Sequence, residues 1–184
     1  MKNLLKFLTL FCLFGLVLAC TSKNDETVAE PQIIIPENAT VIYVVRHAEK
    51  GTNHPSDPDL SAVGQARALA LKDSMSNVTL SAIYTTDYKR TRQTVAPTAQ
   101  IKNLTPTIYD PSTDLKVLAS KIKQTYLNRS VLMVGHSNTV LETIEAFGAK
   151  RPIPAISETE YNYLFKITLK ENKDPEVEIK RYGN

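Results

Sequence analysis

The sequence predicts an α/β domain built on a mostly parallel sheet. Two runs, Val41 to Val45 (VIYVV) and Ser130 to Val134 (SVLMV), are almost wholly apolar and suit strands buried on both faces. Between them, helix-length amphipathic stretches alternate with further short apolar runs, the pattern of strand–helix alternation. Composition agrees: 184 residues, 42% hydrophobic and 22% charged, is globular rather than disordered.

Each element has a local reason. After the Val41 strand, Ser61 to Met75 carries Ala62, Ala66, Leu69 and Ala70 near helical spacing, with Ser61 as the cap. Ala82-Ile83-Tyr84 is a short strand. Asp87 is expected to cap a helix to about Val95, with Pro97 as a restart or kink. Pro106 to Tyr109 is another short strand, and Asp114 to Leu127 a helix with Leu115, Leu118, Ala119 and Ile122 on one face. Thr139 to Phe147 reads as a helix ended by Gly148. Tyr163 to Leu169 and Val177 to Tyr182 are two closing strands, a candidate hairpin around ENKDPE.

Charge excludes one class of partner. Lys and Arg total 22 and Asp and Glu 19, a net +3 too small to argue for nucleic acid. Lys2 and Lys6 supply two of the positive charges, so the rest of the chain is nearly neutral. Both cysteines, Cys12 and Cys20, precede the body, leaving it no internal disulfide or thiolate metal site.

The N-terminus reads as an address. Two lysines precede an uncharged run from Phe7 to Cys20, which is short for a spanning helix and suits a secretory signal. Val17-Leu18-Ala19-Cys20 resembles the lipobox of bacterial lipoproteins. That resemblance implies cleavage before Cys20, acylation of its thiol, and anchoring to a lipid membrane on the exported side of a bacterial cell envelope. The expected organisation is a signal peptide over 1–19, a lipid-anchored flexible tether over 20–38, and a folded domain over 39–184. Ile33-Ile34-Ile35 is expected to pack on the domain as an edge segment.

Chemistry gathers at predicted strand ends. The first strand leads into Arg46-His47 and the Ser130 strand into Gly135-His136, and reactive groups in such sheets sit at carboxyl ends. Arg90 lies about one turn into the helix after Thr85-Thr86 and can reach back to the same crevice. Two imidazoles and two guanidiniums suit a phosphoryl group, whose oxygens match the planar donors of arginine. The guanidiniums are expected to hold His47 unprotonated, with a carbonyl of the Leu60 to Gly64 turn fixing its tautomer. No metal-ligand cluster is visible and none is needed.

These residues resemble the histidine phosphatase superfamily, also called phosphoglycerate-mutase-like. Arg46-His47-Ala48-Glu49 is similar to its RHG or RHA signature, and Leu60-Ser61-x-x-Gly64 to its LSxxGxxQA helix start. Tyr84 to Thr94 is similar to its SxxxRxxQT block, and Val134 to Thr139 to its second histidine motif. Four ordered blocks are far more specific than one dipeptide. The resemblance implies a three-layer sandwich, a central sheet flanked by helices. It implies His47 as the nucleophile, Arg46 and Arg90 as holders of the phosphoryl oxygens, His136 as a second imidazole, and the Ser137 backbone N–H as an added donor.

For the proton donor, the resemblance directs attention to the end of the Pro106 strand, hence Asp110; Asp110-Pro111-Ser112 reads equally well as a turn, and Glu49 competes. His54, Lys50 and Lys89 are placed on a solvated rim, and specificity in the loops Gly51 to Asp59 and Ser157 to Asn162. The expected activity is cofactor-free hydrolysis of a small phosphate monoester. Two alternatives stand beside it: phosphoglycerate-mutase-type transfer, which expected export and a short body oppose, and an inactive phosphate-binding envelope protein.

Overall fold

The computed structural model describes residues 38–183. The expected leader, the lipidation site Cys20, the Ile33–Ile35 run and the tether up to residue 37 lie outside the described residues. Strand β1 spans Ala39–Arg46, α1 Ala62–Ser74, β2 Leu80–Thr86, α2 Lys89–Lys102 and β3 Thr107–Tyr109. Then come α3 Leu115–Thr125, β4 Ser130–Gly135, α4 Val140–Ala146, β5 Tyr163–Lys170 and β6 Glu176–Arg181. Among the described residues no helix is long and apolar enough to cross a membrane.

The six strands form one sheet in the order β3-β2-β4-β1-β5-β6. Pairing is parallel among β3, β2, β4 and β1, and antiparallel from β1 to β5 and β5 to β6. Strand periodicity divides the core. Val41, Tyr43 and Val45 of β1 face Leu71 and Met75 of α1 and Val95 and Ala99 of α2. Ile42 and Val44 face the other way, toward Leu118, Ala119 and Ile122 of α3 and Leu141 and Ile144 of α4. Two helices therefore cover each face, and both apolar runs are buried throughout, as the sequence predicts.

Capping follows local chemistry at the N-termini of α1 and α3. Ser61 accepts from the Gly64 N–H at 3.1 Å, and Asp114 from the N–H groups of Lys116 and Val117 at 2.8 and 3.4 Å. Gly148 takes φ +90° after α4. Asp87, however, does not cap α2. It pairs with Arg92 at 2.7 Å, while Asp57 from the loop before α1 accepts from the Lys89 N–H at 2.9 Å. Nor does Pro97 end α2, which continues to Lys102 with Val95, Thr98 and Ala99 buried on either side of the proline.

The expected face of α1 is also wrong. Gly64, Ala68 and Leu71 are buried, whereas Leu69 is 50% exposed. The reason is a close approach at the N-terminal turn. The Ser61 N–H donates to the Glu49 carbonyl at 2.9 Å, bringing α1 down on the chain leaving β1. A Cβ on Gly64 would lie 2.2 Å from that same oxygen, so only glycine fits, and this contact sets the helix rotation.

Gly64→Ala is therefore expected to lower unfolding stability by about 1–3 kcal/mol, the usual cost of overpacking. A urea midpoint matching the parent protein's would refute the close-approach reading.

Candidate active site

Register brings the two histidines together. In the parallel β1–β4 pair, Val45 lies opposite Val134 and Arg46 opposite Gly135. The His47 N–H then donates to the Gly135 carbonyl at 2.9 Å, extending the ladder one step. His47 and His136 leave adjacent strands at equivalent positions, and their ring centroids are 5.4 Å apart with the planes at 65°. A cavity of about 320 Å³ opens above them, lined by Arg46, Arg90, Lys50, Tyr88, Ser137 and Glu158 among others.

Each ring is fixed by one polar contact. His47 Nδ1 lies 2.7 Å from the Ala48 carbonyl. A carbonyl only accepts, so Nδ1 carries the proton and Nε2 of the neutral ring keeps its lone pair. The partner is the neighbouring residue rather than the expected Leu60–Gly64 turn. His136 Nε2 lies 2.9 Å from the Thr86 hydroxyl, which donates to Thr91 Oγ1 at 3.1 Å. Thr91 Oγ1 in turn donates to the carbonyls of Thr86 and Tyr88, both at 2.9 Å. This hydroxyl chain leaves His136 Nε2 as the donor to Thr86.

Helix α2 carries Arg90 and keys itself to the exit of β1. Thr94 Oγ1 accepts from the Ala48 N–H at 2.9 Å and donates to the Arg90 carbonyl at 2.7 Å. Gln93 accepts from the Leu60 N–H and donates to Asp59, both at 2.7 Å. Arg90 lies over the Tyr88 ring, 4.3 Å from its centroid, and 3.8 Å from Asp57. Arg46 is 3% exposed, and its Nη1 donates to the carbonyls of Ser157, Glu158 and Glu160 at 2.9 to 3.1 Å. Its Nη2 donates to Glu158 Oε2 at 2.8 Å, and its Nε has no partner among the described residues.

Four predicted residues, Arg46, His47, Arg90 and His136, thus meet at one hollow, and Ser137 lines it. The two candidate carboxylates do not. Asp110 is exposed and closes a turn, its Oδ1 accepting from the Ser112 N–H at 2.7 Å and hydroxyl at 2.6 Å. Those bonds hold its carboxyl below the usual range, the wrong direction for a proton donor. Glu49 turns away to accept from Arg67 Nη2 at 2.6 Å and Nε at 2.8 Å. Arg67 also donates to the carbonyls of Tyr182 and Gly183, so this pair ties the end of the domain to α1. His54 organises its own exposed loop, accepting from the N–H groups of Ser56 and Asp57. Lys89 lies 4.0 Å from Asp59.

Sequence reasoning missed Glu158, Tyr88, Tyr161 and the role of Thr86. Tyr161 stacks under Arg46, 4.1 Å from centroid to guanidinium. Thr86 and Tyr88 lie inside the block carrying Arg90, so position alone could have nominated them. Glu158 has no signal beyond its place in the Ser157–Asn162 loop. Among the described residues no group of three or more His, Cys, Asp or Glu stands together as metal ligands.

Both imidazoles are neutral at neutral pH. Burial, then the charges of His136, Arg46 and Arg90, pulls the His47 pKa down to about 3 against the opposing Ala48 hydrogen bond. Burial, then Arg90 and Arg46, lowers that of His136 to about 4. Desolvation therefore does more here than the guanidiniums, which sequence reasoning put first.

Residues 42–113 match the family model described as the histidine phosphatase superfamily (branch 1). No curated protein matches the chain. Among solved structures, a protein histidine phosphatase SixA complexed with tungstate is 16% identical, with a TM-score of 0.62 over 77% of this chain and 96% of that one. A mycobacterial glucosyl-3-phosphoglycerate phosphatase is 13% identical, with a TM-score of 0.64 over 79% and 100%. Bacillus stearothermophilus YhfR is 15% identical, with a TM-score of 0.61 over 77% and 96%. At these identities the likeness is one of fold.

The depressed histidines make stability depend on pH. Below about 6.5 the unfolded chain takes up protons that folded His47 and His136 refuse down to about pH 3 and 4. Their contribution is fully present above pH 6.5 and is lost as pH falls through that window. Urea midpoints should drop between pH 6.5 and 4.5, and less steeply in His47→Gln; an identical slope in the variant would contradict the assignment.

Proposed function

We propose, for a chain that matches the histidine phosphatase superfamily (branch 1) in sequence and in fold, that it is a phosphatase hydrolysing a phosphate monoester through a phosphohistidine on His47. One observation carries the reading. A neutral imidazole with Nδ1 committed to a carbonyl and Nε2 free stands in a hollow lined by two guanidiniums.

The steps follow from that geometry. The Nε2 lone pair attacks phosphorus, the N–P bond forms, and the P–O ester bond breaks with its electrons on the leaving oxygen. Arg46 and Arg90 oppose the charge on the equatorial oxygens, where most of the stabilisation in phosphoryl transfer acts. His136 faces the same oxygens. Its proton affinity is low because burial, then Arg90 and Arg46, oppose the imidazolium, and a bound dianion offsets the guanidiniums. Water then attacks phosphorus, the N–P bond breaks, and inorganic phosphate leaves with His47 neutral again; of the two protons of that water one stays on phosphate and the other replaces the solvent proton taken up by the leaving oxygen. The open hollow favours water as the second acceptor over a retained intermediate.

The finer assignments are part of the same proposal. The substrate is a small phosphorylated molecule. The chain is lipid-anchored through acylated Cys20 on the exported side of a bacterial envelope, a reading carried by the leader and Val17–Cys20 alone.

The test is aryl phosphate turnover by the purified protein in the presence of a chelator. His47→Ala is expected to lose roughly a thousand-fold or more, and Arg90→Ala about a hundred-fold. An acid-labile phosphoryl adduct should form in the parent and not in His47→Ala. Turnover requiring added bisphosphoglycerate would establish the mutase alternative; phosphate binding without turnover would establish the binding protein. Asp110→Asn should leave turnover unchanged. Cys20→Ser should release the protein from membranes; a variant still membrane-bound would refute lipid anchoring.

A further inference from the structure

Glu158 is the only carboxylate among the described residues that line the cavity, and no step above uses it. Its two oxygens are both engaged. Oε2 accepts from Arg46 Nη2 at 2.8 Å and Oε1 from the Ser137 hydroxyl at 2.9 Å. An anion bridging the buried arginine and the loop after β4 stands where a phosphoryl group would draw on the same donors. Two anions cannot share them, so one must leave when the other arrives.

We infer that Glu158 is an internal competitor for the phosphoryl hollow: its carboxylate occupies the anion position in the empty site, swings out when a phosphoryl group enters, and returns to help expel inorganic phosphate. The inference rests on the phosphatase reading and adds a control on affinity to it.

The contacts are arranged for such an exchange. The backbone of the loop is held firmly, with Arg46 Nη1 donating to the carbonyls of Ser157, Glu158 and Glu160. The Ser157 N–H donates to Glu160 Oε2 at 3.0 Å, and the Glu160 N–H to the Ser157 carbonyl at 3.0 Å. The Glu158 side chain, by contrast, is 76% exposed and has little packing to lose. The carboxylate end of the pair is open to water, which competes for it and eases its exchange, while Arg46 stays buried and ready for another anion. Displacement is then a change of side-chain rotamer on a fixed loop. It frees Nη2 beside the unpartnered Nε of Arg46, leaving a guanidinium edge for two phosphoryl oxygens.

A competing role is proton donation to the leaving oxygen. The environment opposes it in the empty site: Ser137, Arg46 and Lys50 all hold the Glu158 carboxyl below the usual range. The geometry favours occupancy.

The probe is inorganic phosphate, titrated calorimetrically into the full chain at pH 8, with the parent, Glu158→Gln and Glu158→Asp compared. If the hollow is free about a tenth of the time, removing the competitor tightens phosphate about ten-fold. Glu158→Gln should show that gain. Glu158→Asp keeps the charge but lacks the reach to span Arg46 and Ser137, so it should show part of it. Equal affinity in parent and Glu158→Gln would overturn the inference, as would a gain in Gln with none in Asp, which would indicate long-range repulsion alone. Unchanged phosphate affinity with slowed turnover of alkyl but not aryl phosphates would assign proton donation instead. No phosphate binding in any of the three would overturn the phosphatase reading itself, a result distinct from tight binding that ignores Glu158.

Discussion

One hydrogen bond organises the site. The ladder between β1 and β4 continues one step past the end of β1, with the His47 N–H on the carbonyl of Gly135, the last residue of β4. Parallel pairing fixes the relative height of two strand ends, and here both ends carry a histidine. A one-residue slip would turn every side chain of β1 to the opposite face and part the rings. Such a slip is blocked because β1 is buried on both faces between two helical layers. The reactive geometry is thus a by-product of core packing, and each apolar residue of β1 helps to aim His47.

Around the paired rings, charge is held in a definite order. Two guanidiniums stand close to two uncharged imidazoles, and a carboxylate from a separate loop shadows each guanidinium: Glu158 on Arg46 and Asp57 on Arg90. The arginines are stabilised by these partners and by tyrosine faces. Burial keeps the imidazoles neutral, so one can act as a nucleophile without first losing a proton.

Much of this was legible in the sequence, for identifiable reasons. The two apolar runs, the caps Ser61 and Asp114, and the Gly148 stop follow from local chemistry that tertiary structure did not overrule. Strand ends are predictable places for reactive groups, which made Arg46, His47 and His136 visible. The α1 face was not, because an alanine-rich helix carries little amphipathic signal and its rotation is set by Gly64 against the Glu49 carbonyl. Asp87 looked like a cap because its type suits one, yet Asp57 from a distant turn fills that role. Asp110 looked like an acid because of where its strand ends, and its own turn consumed it. Glu158 reaches Arg46 across most of the domain's length, a contact without local pattern.

The strand order has a bearing on biogenesis. The first strand of the domain is an interior one, and its neighbours β4 and β5 are among the last to be made. Contacts so distant in sequence form slowly, and until β5 emerges from the ribosome β1 has only one flank that can be covered. The nascent domain therefore remains open for most of its own translation, and its central strand is sealed only when the chain is nearly complete.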